Sequence, residues 1–344
     1  MDSLAGAFKA LWNEKKPFVF FRLPNKKDVR LFYQDNQELH HTSDFSENGF
    51  VFAPFKKRNQ LPFIPSLKNK TYPSPKARID PNTKKFEQGE QAKKKFLDLV
   101  DLTKTFVSDK KAQKIVVSRK ITMPTSNSLD QILFNLLHLY ANAMVYFWHH
   151  PKVGVWFGAS PEILFFQKGE EFQTMALAAT QVVNKENRYF WTPKERKEQA
   201  LVTEQIQKDL LSFFSKTELN ISESSPKKAG NVVHLCSHIK ADQKNLKVRE
   251  LIDALHPTPA VGGIPKREAL QFINSEEGYD RQFYTGYLGP FSPNSTELFV
   301  NLRCAEYSNQ QLSFFVGAGI TEESEPMMEW EETQRKAETL LAAL

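Results

Sequence analysis

Glu297-Leu298-Phe299-Val300-Asn301-Leu302-Arg303-Cys304-Ala305-Glu306, followed across Tyr307–Gln310 by Gln311-Leu312-Ser313-Phe314-Phe315-Val316-Gly317, decides the fold class. Apolar and polar residues alternate in both runs, as strands with one buried face require, and the short polar separation closes an antiparallel hairpin. Downstream, Pro326 opens a terminal helix. Upstream, Thr192 caps a helix predicted through Phe214, with Val202, Ile206, Leu210 and Phe213 at helical spacing. Before it, Val145–Trp148, Val153–Phe157 and Glu162–Gln167 read as successive strands, Ser128–Ala143 and Glu90–Thr105 as helices, and Lys114–Ile121 as a strand. Phe18–Phe63 reads as short strands such as Pro17–Arg22 and Gly49–Phe55, whereas the prolines and lysines of Leu61–Gly89 predict a long loop. Helices and hairpins alternate without a βαβ rhythm or a nucleotide-binding glycine motif. A mixed α+β fold on antiparallel sheet is expected rather than a doubly wound one.

With 344 residues, 40% of them hydrophobic and 12% aromatic, the chain can bury a large core. No signal-peptide pattern is read at Met1–Phe20, and Asn135, His138 and Asn142 interrupt the longest apolar stretch, so a soluble, cytoplasmic protein without membrane contact is expected. Cys236 and Cys304 are the only cysteines, which excludes a disulfide framework. Residues 1–120 carry 25 Lys and Arg against 13 Asp and Glu. Runs such as Lys56-Lys57-Arg58 and Lys93-Lys94-Lys95 lack the interleaved aromatics of a nucleic-acid binder and read as a solvated face. No nucleic-acid or obligate protein partner is inferred.

Two acidic pairs share one spacing, Glu195/Glu198 and Glu329/Glu332, each near the start of a predicted helix. Residues three apart lie on one helix face. If the two helices meet, their four carboxylates form an oxygen cage suited to a hard divalent cation, magnesium (Mg2+) above all. Either pair alone reads equally as acidic residues favoured by the helix dipole, and Thr192-Pro193-Lys194-Glu195 has the form of a capping box.

Six further segments occur in order: Lys114–Arg119 (KIVVSR), Gly158–Glu162 (GASPE), Ala176–Thr180 (ALAAT), Leu255–Pro265 (LHPTPAVGGIP), Phe283–Gly289 (FYTGYLG) and Gly317–Ile320 (GAGI). Together with the acidic pairs, this order resembles the chorismate-utilising enzymes, over about residues 96–344. Residues 1–95 carry no motif of the family. The resemblance implies one large domain over 1–344, with two antiparallel β-sheets packed together and helices on the outside. Lysine at 114, where amine-adding members carry glutamine, and Ala178 in place of a nucleophilic lysine point to the water-adding isochorismate synthases. Ala260, where salicylate synthases tend to have threonine, is associated with stopping at isochorismate. Salicylate synthase is the alternative, and a non-catalytic chorismate-binding relative a further one.

By the same resemblance, Lys114 activates water for attack at ring C2 and Glu162 protonates the departing C4 hydroxyl. A lysine acts as a base only when neutral and a glutamate as an acid only when protonated, so the site has to push the two groups in opposite directions. Glu198 and Glu332 would ligate magnesium, with Glu195 and Glu329 holding its waters. Thr180, His234, Ala260, Tyr284, Arg303, Gly317, Gly319 and Lys336 match substrate-binding positions. Lys336, four residues after Glu332, can also form a simple intrahelical ion pair. The substrate would be chorismate, and menaquinone formation the expected use of the product, with siderophore formation the other. Two positions depart from the pattern: Ala179 replaces glycine, and Gln199 replaces the histidine that commonly follows the metal-binding glutamate.

Overall fold

The computed structural model describes residues 3–75, 89–184, 186, 188–229, 232–242 and 247–344. In chain order the first elements are α1 (Leu4–Asn13), β1 (Phe18–Arg22), β2 (Asp28–Tyr33), β3 (His40–Thr42), β4 (Gly49–Ala53), β5 (Leu61–Pro65) and β6 (Lys68–Pro73). Next come α2 (Glu90–Ser108), β7 (Lys114–Pro124), α3 (Leu129–Leu139), β8 (Met144–His150), β9 (Gly154–Ser160), β10 (Ile163–Lys168), β11 (Glu171–Val182) and α4 (Pro193–Leu210). The remainder is β12 (Asn220–Ile221), β13 (Ser225–Ala229), β14 (Val232–Asp242), α5 (Val248–Leu255), β15 (Gly263–Ile264), α6 (Lys266–Glu276), β16 (Tyr287–Ser292), β17 (Ser295–Val300), β18 (Cys304–Ser308), β19 (Gln311–Ile320) and α7 (Pro326–Leu341).

The strands form two antiparallel sheets, so the α+β expectation holds. One runs β15-β7-β19-β18-β9-β8-β1-β2-β6, the other β12-β14-β11-β10-β17-β16-β4-β5-β3 with β13 added beside β14. Strand β1 shows why they stack. Val19 and Phe21 point into the layer between the sheets, where Phe50, Phe52, Trp148 and Trp156 also lie, while Phe18 and Phe20 point outward under α1 and α3. Alternating side chains on a strand reach opposite faces, so a wholly apolar strand needs a cover on each side. Phe52 stacks on Phe283 with centroids 4.2 Å apart. Truncating such a residue to alanine costs about 3–5 kcal/mol. The outer face of the second sheet is covered by α4 and α5.

Three expectations are corrected. The run 297–306 is not one strand: β17 ends at Val300 in the second sheet and β18 starts at Cys304 in the first, so the hairpin is β18–β19 alone. Arg303, at the break, has φ 48°. The loop expected over Leu61–Gly89 holds strands β5 and β6, and its part at 76–88 falls outside the described residues. Its prolines are accommodated at strand margins: Pro65 and Pro73 close their strands, and β6 is an edge. The helices from Ser128 and Thr192 stop short of Ala143 and Phe214, at Leu139 and Leu210. Helix α1 was not anticipated, although Leu4, Ala7, Phe8 and Leu11 are buried at helical spacing and Ser3 caps it.

The crossing at Arg303 has a counterpart. Strand β9 belongs to the first sheet and β10 to the second, and Pro161 and Glu162 bridge them. These two crossings lie side by side: Ala159 N–H donates to Arg303 O at 3.1 Å and Val300 N–H to Glu162 O at 3.0 Å.

Candidate active site

Strand β7 opens with Lys114, which is 2% exposed. Its Nζ donates to Glu198 Oε1 at 2.8 Å, from the second turn of α4. The neighbouring strand makes room for it, because a Cβ on Gly319 would stand 2.7 Å from Lys114 Cε. Burial pushes the Glu198 carboxyl upward, but the charge and hydrogen bond of Lys114 prevail and hold it below the usual range. The two side chains form a close contact in which the lysine is almost wholly buried.

Glu162, at the first crossing, is 1% exposed. Thr258 Oγ1 donates to its Oε1 at 3.1 Å. Burial pushes its pKa up to about 7, against the smaller opposing effects of Thr258, Lys227 and Lys114. A carboxyl in this position holds its proton near neutrality, as a general acid must.

Arg303 Nη2 lies 3.1 Å from His234 Nε2, and His234 Nδ1 lies 2.9 Å from Ala179 O. A guanidinium only donates and a carbonyl only accepts, so the imidazole is neutral with its proton on Nδ1. Burial, followed by the charges of Arg303 and Lys336, lowers its pKa to about 3. Burial also brings the Arg303 guanidinium down to about 10. No carboxylate pairs with Arg303 among the described residues, so it is a cation suited to an anionic ligand. Ala179 itself sits at φ 55° in a β-bulge of β11. There its N–H serves Glu198 while its carbonyl serves His234.

The two helices that carry the acidic pairs face one cavity, the condition on which a shared site depended. Glu195, Glu198, Glu329 and Glu332 line one cavity of about 650 Å³ between α4, α7 and the end of β19. Glu195 also performs the capping role: its Oε2 accepts from Thr192 N–H at 2.7 Å, and its Oε1 from Gln181 Nε2 at 2.9 Å. Glu332 Oε1 accepts from Lys336 Nζ at 2.6 Å, and the same Nζ donates to Gly317 O at 2.9 Å. The intrahelical pair is thus present. Burial and then the charge of Glu332 push Glu329 up to about 7. Such crowding of like charge is what a divalent cation relieves, and the all-carboxylate donor set suits a hard one. Among the described residues, no three His, Cys, Asp or Glu side chains are already arranged as a metal site.

A smaller, adjoining cavity of about 100 Å³ is lined by Lys114, Glu162, Thr180, Glu198, His234, Ala260, Tyr284, Arg303, Gly317, Gly319, Glu332 and Lys336. Every residue given a catalytic, substrate or metal role from the sequence therefore borders this cavity except Glu195 and Glu329, which border its larger neighbour. Tyr284 stacks on Phe315 at 5.2 Å, and a Cβ on Gly317 would stand 3.1 Å from its hydroxyl. Gln199 turns away: its Nε2 donates to Ala176 O at 3.1 Å, fastening α4 to β11. Two participants were missed. Thr258 lay inside the quoted LHPTPAVGGIP segment, and Lys227, half-buried with Nζ 3.4 Å from Met175 Sδ, lies in a lysine pair that reads as ordinary surface.

Residues 59–344 match the family model described as chorismate binding enzyme. Isochorismate synthase EntC of Escherichia coli (strain K12) is 33% identical over 260 residues, which take in 72% of this chain and 66%, just under two thirds, of that protein. Isochorismate synthase DhbC of Bacillus subtilis (strain 168) is 31% identical over 258 residues, 69% of this chain and 64% of that protein. The solved structure of MenF, the menaquinone-specific isochorismate synthase from Escherichia coli, shares the fold with a TM-score of 0.83 and 20% identity, over 99% of this chain and 92% of that one. Among the described residues, no helix is long and apolar enough to cross a membrane. On the extent of the family match and the assembly of its motifs around one cavity, this chain belongs to the chorismate-binding enzymes.

Proposed function

We propose that this protein is a magnesium-dependent isochorismate synthase. The observation that carries the reading is the pair Lys114 and Glu162, both buried and bordering one cavity, the acid still protonated near neutrality. In the reaction Lys114, once it has parted from Glu198 and given up its own proton, takes a proton from the water that attacks ring C2, the ring double bond shifts, and the C4 hydroxyl leaves as water with the proton of Glu162. Water is gained and lost in equal measure, so the change is an isomerisation. Arg303 and Tyr284 receive the carboxylate that the metal does not, and Gly317 and Gly319 let the backbone come close.

Glu198 and Glu332 would hold magnesium, with Glu195 and Glu329 placed for its waters. Bound there, the ion supplies positive charge against the ring carboxylate. The relatives EntC and DhbC, named as isochorismate synthases, support the activity. Assignment of the product to menaquinone formation rests on the family resemblance alone, and loss of menaquinone from a deletion strain would support it.

The test is incubation of the purified protein with chorismate, with and without magnesium, and chromatographic resolution of the products. Magnesium-dependent isochorismate without pyruvate is expected. Salicylate with an equal amount of pyruvate would replace the reading by salicylate synthase, and unchanged chorismate would overturn it.

A further inference from the structure

The outer edge of β7 needs a partner, because it is the strand that carries Lys114 and its neighbour β15 is only two residues long. Beyond that short ladder, Val116 N–H donates to Gly262 O at 2.8 Å. The next two edge groups, Val116 O and Ser118 N–H, are met by side chains. Arg281 Nη2 donates to Val116 O at 2.8 Å, and Glu277 Oε1 accepts from Ser118 N–H at 2.8 Å and from Ser118 Oγ at 2.9 Å. A salt bridge therefore stands where the next strand would be.

The pair is built for that place. Arg281 and Glu277 side chains are 1% and 0% exposed. Arg281 Nε donates to Glu277 Oε2 at 2.8 Å, and Nη2 donates to Glu277 Oε1, which makes the contact a two-pronged fork. Nη1 donates to Val261 O at 2.8 Å and Thr285 Oγ1 at 3.2 Å. All five guanidinium N–H groups are thus used, an arrangement lysine cannot reproduce. The guanidinium also lies 4.6 Å from the centroid of the Phe55 ring.

What the fork joins matters more than its own stability. Val116 is two residues from Lys114 on the same strand. Val261 follows Ala260 in the loop whose Thr258 hydrogen-bonds Glu162. Thr285 follows Tyr284. Each of these three walls of the substrate cavity is held by a different bond of one guanidinium.

We propose that Glu277 and Arg281 are positioning residues that fix the base-bearing strand against the loop holding the acid, and so set the spacing of Lys114 and Glu162. Neither touches substrate. Displacements of about 1 Å between reacting groups lower rates by ~10²-fold, whereas binding contacts elsewhere survive. The inference rests on the reading of the site as an isochorismate synthase.

The test compares wild type with Arg281→Lys and with Glu277→Gln, which keeps the shape and an acceptor for Ser118. Measurements are kcat and KM for chorismate per folded molecule, thermal unfolding, and pyruvate release. Both variants are expected to keep KM within about threefold while kcat falls by ~10²-fold in Arg281→Lys and ~10-fold in Glu277→Gln, with the larger loss accompanied by pyruvate as the Ala260 loop shifts. A lowered unfolding temperature with unchanged kcat would overturn the proposal and leave the fork a purely structural brace. If Arg281→Lys fails to fold, Glu277→Gln alone decides. Failure of the wild type to consume chorismate would instead remove the functional reading itself.

Discussion

The Lys114 and Glu162 sides of the cavity solve the same problem, a buried ionisable group, in different ways. Lys114 is given a carboxylate, Glu198, as partner. Glu162 is given only a hydroxyl, Thr258, and keeps its proton instead. A charge in a dry site is compensated either by an opposite charge or by neutralisation. The difference bears on the proposed tasks: the acid holds its proton before substrate arrives, whereas the lysine has to part from Glu198 and be neutral before it can act as a base.

Substituting the two groups sharpens the contrast most. Lys114→Ala and Glu162→Gln are both expected to lower turnover by at least ~10³-fold, but with opposite effects on folding. Lys114→Ala strands the Glu198 charge and should cost on the order of 3 kcal/mol, whereas Glu162→Gln exchanges one neutral group for another. Urea unfolding of the two variants checks this; equal destabilisation would break the comparison.

A second prediction follows from the proton on Glu162. Folded, burial lifts the group to about 7, against an ordinary value of 4.5. Between those values folded Glu162 holds a proton that it has released in the unfolded chain, so its own contribution to stability declines as pH rises from about 4.5 to about 7 and then levels off. Glu162→Gln should remove that decline, gaining up to about 3 kcal/mol over wild type at pH 8 and little at pH 5. In wild type, kcat should fall as pH rises through about 7, because the acid is lost.

Removing only the hydroxyl on the acid side is a smaller perturbation. Thr258→Val should reduce kcat ~10-fold without altering magnesium affinity measured calorimetrically, since Thr258 hydrogen-bonds none of the four glutamates proposed to hold magnesium. The smallest effect is expected at Ala179, where a side chain occupies left-handed backbone. Ala179→Gly should raise stability by about 0.5 kcal/mol, visible as a higher unfolding temperature, with turnover retained.

Much of this site was legible because the residues around it sit in short segments with distinctive order. The acidic pairs could be read as one metal-site candidate because helical geometry makes spacing informative. The break at Arg303 could not be read, because apolar and polar residues continue to alternate through 297–306 while the chain changes sheets. Strands β5 and β6 were hidden by prolines that mark turns more often than strand margins. The Glu277–Arg281 fork was invisible for another reason: i,i+4 pairs of this kind are usually exposed and weak, and only burial reveals that this one replaces a strand.

The paired crossings at Pro161–Glu162 and Asn301–Arg303 bear on how the molecule can be recombined. Each carries a residue of the site, and each is hydrogen-bonded to the other, the second also to the turn at 283–286. A chimaera that takes one crossing from this chain and the other from a relative would join two halves whose stitching was shaped separately. Exchange boundaries should therefore enclose both crossings or neither, and grafts confined to the outer helices are the ones that leave the seam intact.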